Sequence, residues 1–204
     1  FLADLPARHW RSGLEILADA LRNAAFPEDE WQREKQVIRR EMAIDKDNPD
    51  RQLSRLLWET AFRAHPYRVP VIGYQELFDR LTRDDLLTFF KRHYTPENTL
   101  LVISGDLPGD EAEAFVRKLL ADWSRGRSQP SGLHAEPEQI GERSARRSGH
   151  YAVTRLALAW HTVPLTQADA PDLDLLAGIV GSGRSSVLVR EIKEQRKLAH
   201  EIDA

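Results

Sequence analysis

The sequence has 204 residues, 41% hydrophobic and 30% charged, the ordinary composition of a globular chain. Twenty-nine basic residues stand against 32 acidic ones, for a formal net charge of -3, so no long-range field draws in nucleic acid or an anionic membrane. No stretch approaches the ~20 apolar residues of a membrane span, and the absence of cysteine excludes disulfides and thiolate ligands, leaving any metal to His, Asp or Glu.

In chain order, Phe1 to Leu5 reads as the tail of a strand. Pro6 to Ala25 has helical periodicity, with Trp10, Leu14, Leu17, Ala18 and Leu21 on one stripe. Pro27 opens a second helix, and Glu28, Asp29 and Glu30 place negative charge where the helix dipole favours it. That helix is expected to run to about Asp47, where Asn48-Pro49 interrupts it. A third helix carries Leu53, Leu56, Leu57 and Phe62, and His65 to Val71 forms a loop. Short helices are expected over Tyr74 to Leu81 and Thr82 to His93, the second with an N-cap pairing of Thr82 and Asp85. Thr99 to Ser104 reads as a buried strand, turning at Gly105-Asp106, and Glu111 to Trp123 as a helix. From Ser124 to Gly149 glycines, prolines and charges dominate, as in an interdomain linker. Tyr151 to Thr162 then reads as a strand. Helices over about Ala170 to Val180 and Ser185 to Arg196 follow, joined by Gly181-Ser182-Gly183. Strand-then-paired-helices thus occurs on both sides of the linker as a coarse repeat.

The segment Trp31 to Glu41 holds the most informative pattern. Glu34 and Glu41 are seven residues apart, which puts them on one face of a helix, about 10 Å apart along its axis. Trp31, Val37, Ile38 and Ile44 neighbour them, while Arg33, Lys35, Arg39 and Arg40 largely take the other faces. The carboxylates are therefore expected within or beside an apolar stripe, where an unpaired carboxylate is costly. On residue pattern alone a solvated charged face is the plainer reading. Other signals are weaker. Gly181 to Ser186 lacks the ending of a phosphate-binding loop, and Arg143, Arg146 and Arg147 are balanced by Glu136, Glu138 and Glu142.

The glutamate helix resembles that of the pitrilysin, insulin-degrading enzyme and mitochondrial processing peptidase family of inverzincin zinc peptidases. The likeness extends to His65-Pro66-Tyr67 with Pro70 to Gly73, to Tyr94 to Asn98 with Ser104-Gly105-Asp106, and to Gly181 to Ser186 with Leu198-Ala199, in the family's order. The resemblance implies an α+β fold of two homologous domains, each a sheet with helices packed on one side. Residues 1–125 would be the later part of the catalytic-type domain, 126–149 a linker, and 150–204 the opening of a second domain without metal. It also implies a zinc peptidase in which Glu41 is a metal ligand and Glu34 a catalytic-site carboxylate supporting it. The family's HxxEH motif, two zinc-binding histidines and a general-base glutamate, is absent here and is expected upstream of Phe1.

Active members carry an arginine and a tyrosine for substrate binding where this sequence has Lys193 and His200. Lysine lacks arginine's planar fork, so that exchange is not neutral. The implied cofactor is one Zn2+ per complete catalytic domain, not tightly held by these 204 residues alone. The implied partners are a peptide substrate and a second copy or related subunit, with no nucleic acid or membrane. A non-catalytic homologue serving as a binding or scaffold subunit is the alternative, and an unrelated helical interaction module a weaker third.

Overall fold

The structure, a computed structural model, describes residues 1–126 and 132–204. Pro130 and its neighbours in the expected linker lie outside the described residues. Two compact units are present, Phe1–Ala157 and Leu158–Ala204.

The first unit is built from helices close to those the sequence suggests. α1 (Trp10–Arg22) follows a short 3-10 turn and buries Leu14 and Ala18 of its apolar stripe. It packs against α6 (Gly109–Leu119), where the Trp10 and Phe115 rings meet edge to face at 5.3 Å. Arg22 fastens the far end of that pair, donating to Asp122 at 2.8 Å and to the Leu119 carbonyl at 3.1 Å. α2 (Glu28–Asp47) has Pro27 before its first turn and three acidic residues within it. α3 (Pro49–Ala61) starts after a single intervening residue. Proline at N1 is pre-set for a helix start, and the Asn48 side chain caps the new helix by accepting from the N–H groups of Asp50 and Arg51 at 3.0 and 3.1 Å. α3 packs back on α2, tied by buried Gln52, whose Nε2 donates to the Asp45 carbonyl at 3.1 Å. After α4 (Gln75–Phe78), α5 (Arg83–His93) begins with a full capping box of Thr82 and Asp85.

The expected α+β architecture is not what the structure shows: among the described residues there is no strand and no sheet. Phe1 to Leu5, Thr99 to Ser104 and Tyr151 to Thr162 lie outside helices, yet among the described residues no backbone hydrogen bond joins any of them to another segment as a ladder. Alternating apolar residues supply β propensity, but a strand exists only when a neighbour takes its N–H and C=O groups. Thr99 to Ser104 is also not buried, since Leu100 is 87% and Val102 75% exposed.

The expected linker and the residues just after it contribute polar contacts along α3. Glu136 accepts from the backbone N–H groups of Arg63, Ala64 and His65 at 2.8–2.9 Å. Arg143 donates to the Ala61 carbonyl at 2.6 Å, Arg147 to Gln52 Oε1 at 2.6 Å, and Arg155 to Asp50 at 2.6 Å. The contacts retreat from the C-terminal end of α3 to its start, so the segment runs opposite to the helix. Burial favours the protonated form of Glu136. The N–H donors of His65, Ala64 and Arg63, with Arg143, outweigh that and hold its pKa at about 2.

In the second unit, α7 (Ala170–Gly181) ends at a turn where Gly183 takes φ 80°, a left-handed geometry that suits glycine. The helix expected over Ser185 to Arg196 is instead a π-helical stretch, Val189–Gln195. Its end shows the wider ring, with Arg196 N–H donating to the Glu191 carbonyl at 3.1 Å.

Candidate metal centre

α2 presents two faces with different fates. Trp31, Lys35 and Met42 are buried, with Ile38 and Asp45 partly so, which marks the inward stripe. Glu34, Val37, Glu41 and Ile44 all lie to one side of that stripe and are exposed. The apolar neighbours expected around the glutamates therefore divide: Trp31 and Ile38 go inward, while Val37 (43% exposed) and Ile44 (62% exposed) stay beside the carboxylates. Seven residues bring Glu34 and Glu41 within about 20° of the same direction around the helix.

Most of the other acidic groups of α2 are engaged. Arg33 bridges Asp29 at 2.9 Å and Glu30 at 2.6 Å, Gln32 donates to Glu28 at 2.8 Å, and Asp45 faces Arg51 at 3.4 Å. Among the described residues no hydrogen bond or ion pair engages Glu34 or Glu41. Two exposed aliphatic side chains flanking two uncommitted carboxylates make a face ready to meet either a cation or another surface.

Lys35 is the feature that sequence reasoning missed. It lies on another face than the glutamates, as the sequence suggests, but is only 7% exposed, and its ammonium donates to the carbonyls of Leu81 at 2.8 Å and Asp79 at 3.3 Å. The rings of Trp31 and Phe78 lie 5.3 and 5.7 Å from it. The signal was present: positions 31, 35, 38 and 42 follow the helical period, so a lysine in that series is drawn inward with its stem packed and its head satisfied.

Lys193 and His200 lie in the second unit, Lys193 half-buried on the π-helical stretch and His200 exposed beyond it. No described hydrogen bond engages either side chain. Among the described residues, no group of three His, Cys, Asp or Glu side chains comes together as a metal cage. Glu41 fits zinc as one ligand, being an exposed, uncommitted oxygen donor on a regular helix, but these residues do not complete a four-ligand set.

The family model described as the Peptidase M16 inactive domain matches residues 80–204, more than half of the chain, and the model described as Insulinase (Peptidase family M16) matches residues 1–74. The chain belongs to peptidase family M16. Among curated relatives, an uncharacterized zinc protease of Rickettsia bellii is 29% identical over 189 residues, covering 93% of this chain and 45% of its own length. A probable mitochondrial-processing peptidase subunit beta of Arabidopsis thaliana is 28% identical over 176 residues, covering 85% of this chain and 33% of its own. A protease structure from Helicobacter pylori superposes with TM-score 0.75 at 22% identity, over 97% of this chain and 49% of that one. This M16 chain thus spans about half, or less, of the length of the curated relatives it matches.

Proposed function

We propose that the protein to which this M16 chain belongs is a zinc-dependent peptidase that hydrolyses peptides or unfolded segments, with α2 supplying one metal ligand, Glu41. The observation that carries this is the pair of uncommitted, exposed carboxylates on one face of α2, at the spacing that family resemblance implies. Two histidines and a general-base glutamate, absent from this sequence, would complete the site. Bound zinc supplies Lewis acidity toward the scissile carbonyl and a water acidified to a pKa of about 7.

The chain's own residues then divide the work. Glu41 contributes an anionic oxygen, lowering the net charge of the centre. Glu34, two turns before it, adds negative charge to the same face and would support the site without being a ligand. Val37 and Ile44 add aliphatic surface beside the two carboxylates. Lys193 and His200 would bind substrate backbone in the second unit, lysine as a point charge and histidine as a hydrogen-bond donor.

In the complete protein, Glu41→Gln is expected to abolish peptide cleavage and zinc retention together, whereas Glu34→Gln lowers cleavage with zinc retained. A complete protein that cleaves normally as Glu41→Gln refutes the proposal. The 204 residues by themselves are expected to be metal-poor and inactive, and stoichiometric zinc after dialysis would contradict this. A non-catalytic partner subunit is the second reading, favoured by the Lys193 and His200 departures. A complete wild-type protein without zinc or cleavage would establish it.

A further inference from the structure

Two cations on α2 use the same short loop. Lys35 donates to the Asp79 and Leu81 carbonyls, and Arg39, one turn later, donates through Nε to the Asp79 carboxylate at 2.7 Å. The loop is itself fixed. Asp79, Arg80 and Leu81 N–H groups donate back to Gln75, Leu77 and Phe78 carbonyls, and the α5 capping box begins at Thr82. Arg83 donates to the carbonyls of Ala25, at 2.9 Å, and Phe26, just before α2. Phe26 is held there at φ 44° with its ring 5.2 Å from Phe90. Both the entry to α2 and its middle are thus referenced to one stretch, 79–83.

Burying an ammonium without an ion-pair partner of its own is costly unless carbonyl oxygens and ring faces replace its water. A methionine would fill the same space but leave the Asp79 and Leu81 carbonyls without this donor, so the contact ties the helix to the loop at defined atoms. What it provides is a fixed helix rotation. Lys35 and Arg39 lie about 100–160° around the helix from Glu34 and Glu41. We propose that Lys35 and Arg39 are positioning residues that set the rotation of α2 and thereby the placement of the Glu34 and Glu41 carboxylates, an inference that rests on Glu41 being the ligand. Side-chain tips sit about 5–6 Å from a helix axis, so a slip of about 10° displaces a carboxylate by about 1 Å. A displacement of that size costs on the order of a hundredfold in a preorganised site.

The test uses the complete protein as wild type, Lys35→Met, Arg39→Met, Arg39→Lys and Glu41→Gln. Zinc affinity is read by chelator competition, the ligand field by the visible spectrum of the cobalt-substituted protein, and α2 mobility by amide exchange of the metal-free form. Lys35→Met and Arg39→Met are expected to weaken zinc binding by about tenfold or more and to shift the cobalt bands. Arg39→Lys, which keeps a cation opposite Asp79, is expected to return affinity to within about threefold of wild type. A folded Lys35→Met or Arg39→Met protein with affinity within about twofold of wild type and unchanged cobalt bands overturns the proposal. Should Lys35→Met fail to fold, the part-exposed Arg39 pair decides. Zinc retained in Glu41→Gln sinks the ligand assignment itself. Zinc lost there but unaffected by the Lys35 and Arg39 changes sinks only the positioning role.

Discussion

Gln52 joins three segments, and replacing it tests whether residues 136–155 are docked on α3 as the structure shows. Its Nε2 donates to the Asp45 carbonyl at 3.1 Å, and its Oε1 accepts from Arg147 at 2.6 Å, with the residue only 8% exposed. Gln52→Leu keeps volume but strands the Asp45 carbonyl and the Arg147 guanidinium. The first loss is worth about 1 kcal/mol and the second about 1–2 kcal/mol, because Arg147 is charged but largely exposed. The expected destabilisation is therefore about 2–3 kcal/mol, or roughly 4–12 °C in Tm for a chain of this length. Arg147→Met should cost about 1–2 kcal/mol. The double variant should cost little more than Gln52→Leu alone, leaving a coupling energy of about 1 kcal/mol or more. Urea unfolding followed by tryptophan fluorescence gives all four corners of the cycle. Additive single effects within about 0.5 kcal/mol would refute the contact, and with it the docking of the segment at that point.

Further outcomes follow from local geometry. Asn48→Ala removes the cap from α3 and should lower stability by about 1 kcal/mol in the same assay, with Asn48→Asp nearly neutral. Glu136 has its pKa lowered in the folded state, so its contribution is fully present above the ordinary carboxylate value of 4.5 and is lost as pH falls toward about 2. Acid unfolding of Glu136→Gln should accordingly differ from wild type above that window and converge with it below. Gly126→Ala would drive a methyl onto the Thr95 side chain, which is 3% exposed, and should destabilise by about 1–3 kcal/mol, read by thermal melting.

The helices were legible because their signals are local. Pro27 with three acidic residues, Asn48-Pro49 and the Thr82/Asp85 box are each settled within a turn of chain, and each appears where its chemistry places it. The strands were not, because Thr99 to Ser104 and Tyr151 to Thr162 carry β-forming residues whose pairing depends on segments distant in sequence. The α2 faces were half legible. The seven-residue spacing correctly puts Glu34 and Glu41 together. It does not say that Val37 and Ile44 stay exposed with them, or that Lys35 goes inward to carbonyls 44 and 46 residues away. The charges of 136–147 read as linker composition, and Arg155 as part of a strand, because the partners of Glu136, Arg147 and Arg155, in and just beyond α3, lie 71 to 105 residues earlier.

Anomalous diffraction at the zinc edge from crystals of the complete protein tests the assignment of Glu41 as a zinc ligand. A zinc peak is expected about 2.0–2.2 Å from a Glu41 carboxylate oxygen, with Glu34 on the same helix face but not bound. A zinc ion held without Glu41, or a fully occupied site elsewhere in the molecule, would contradict it.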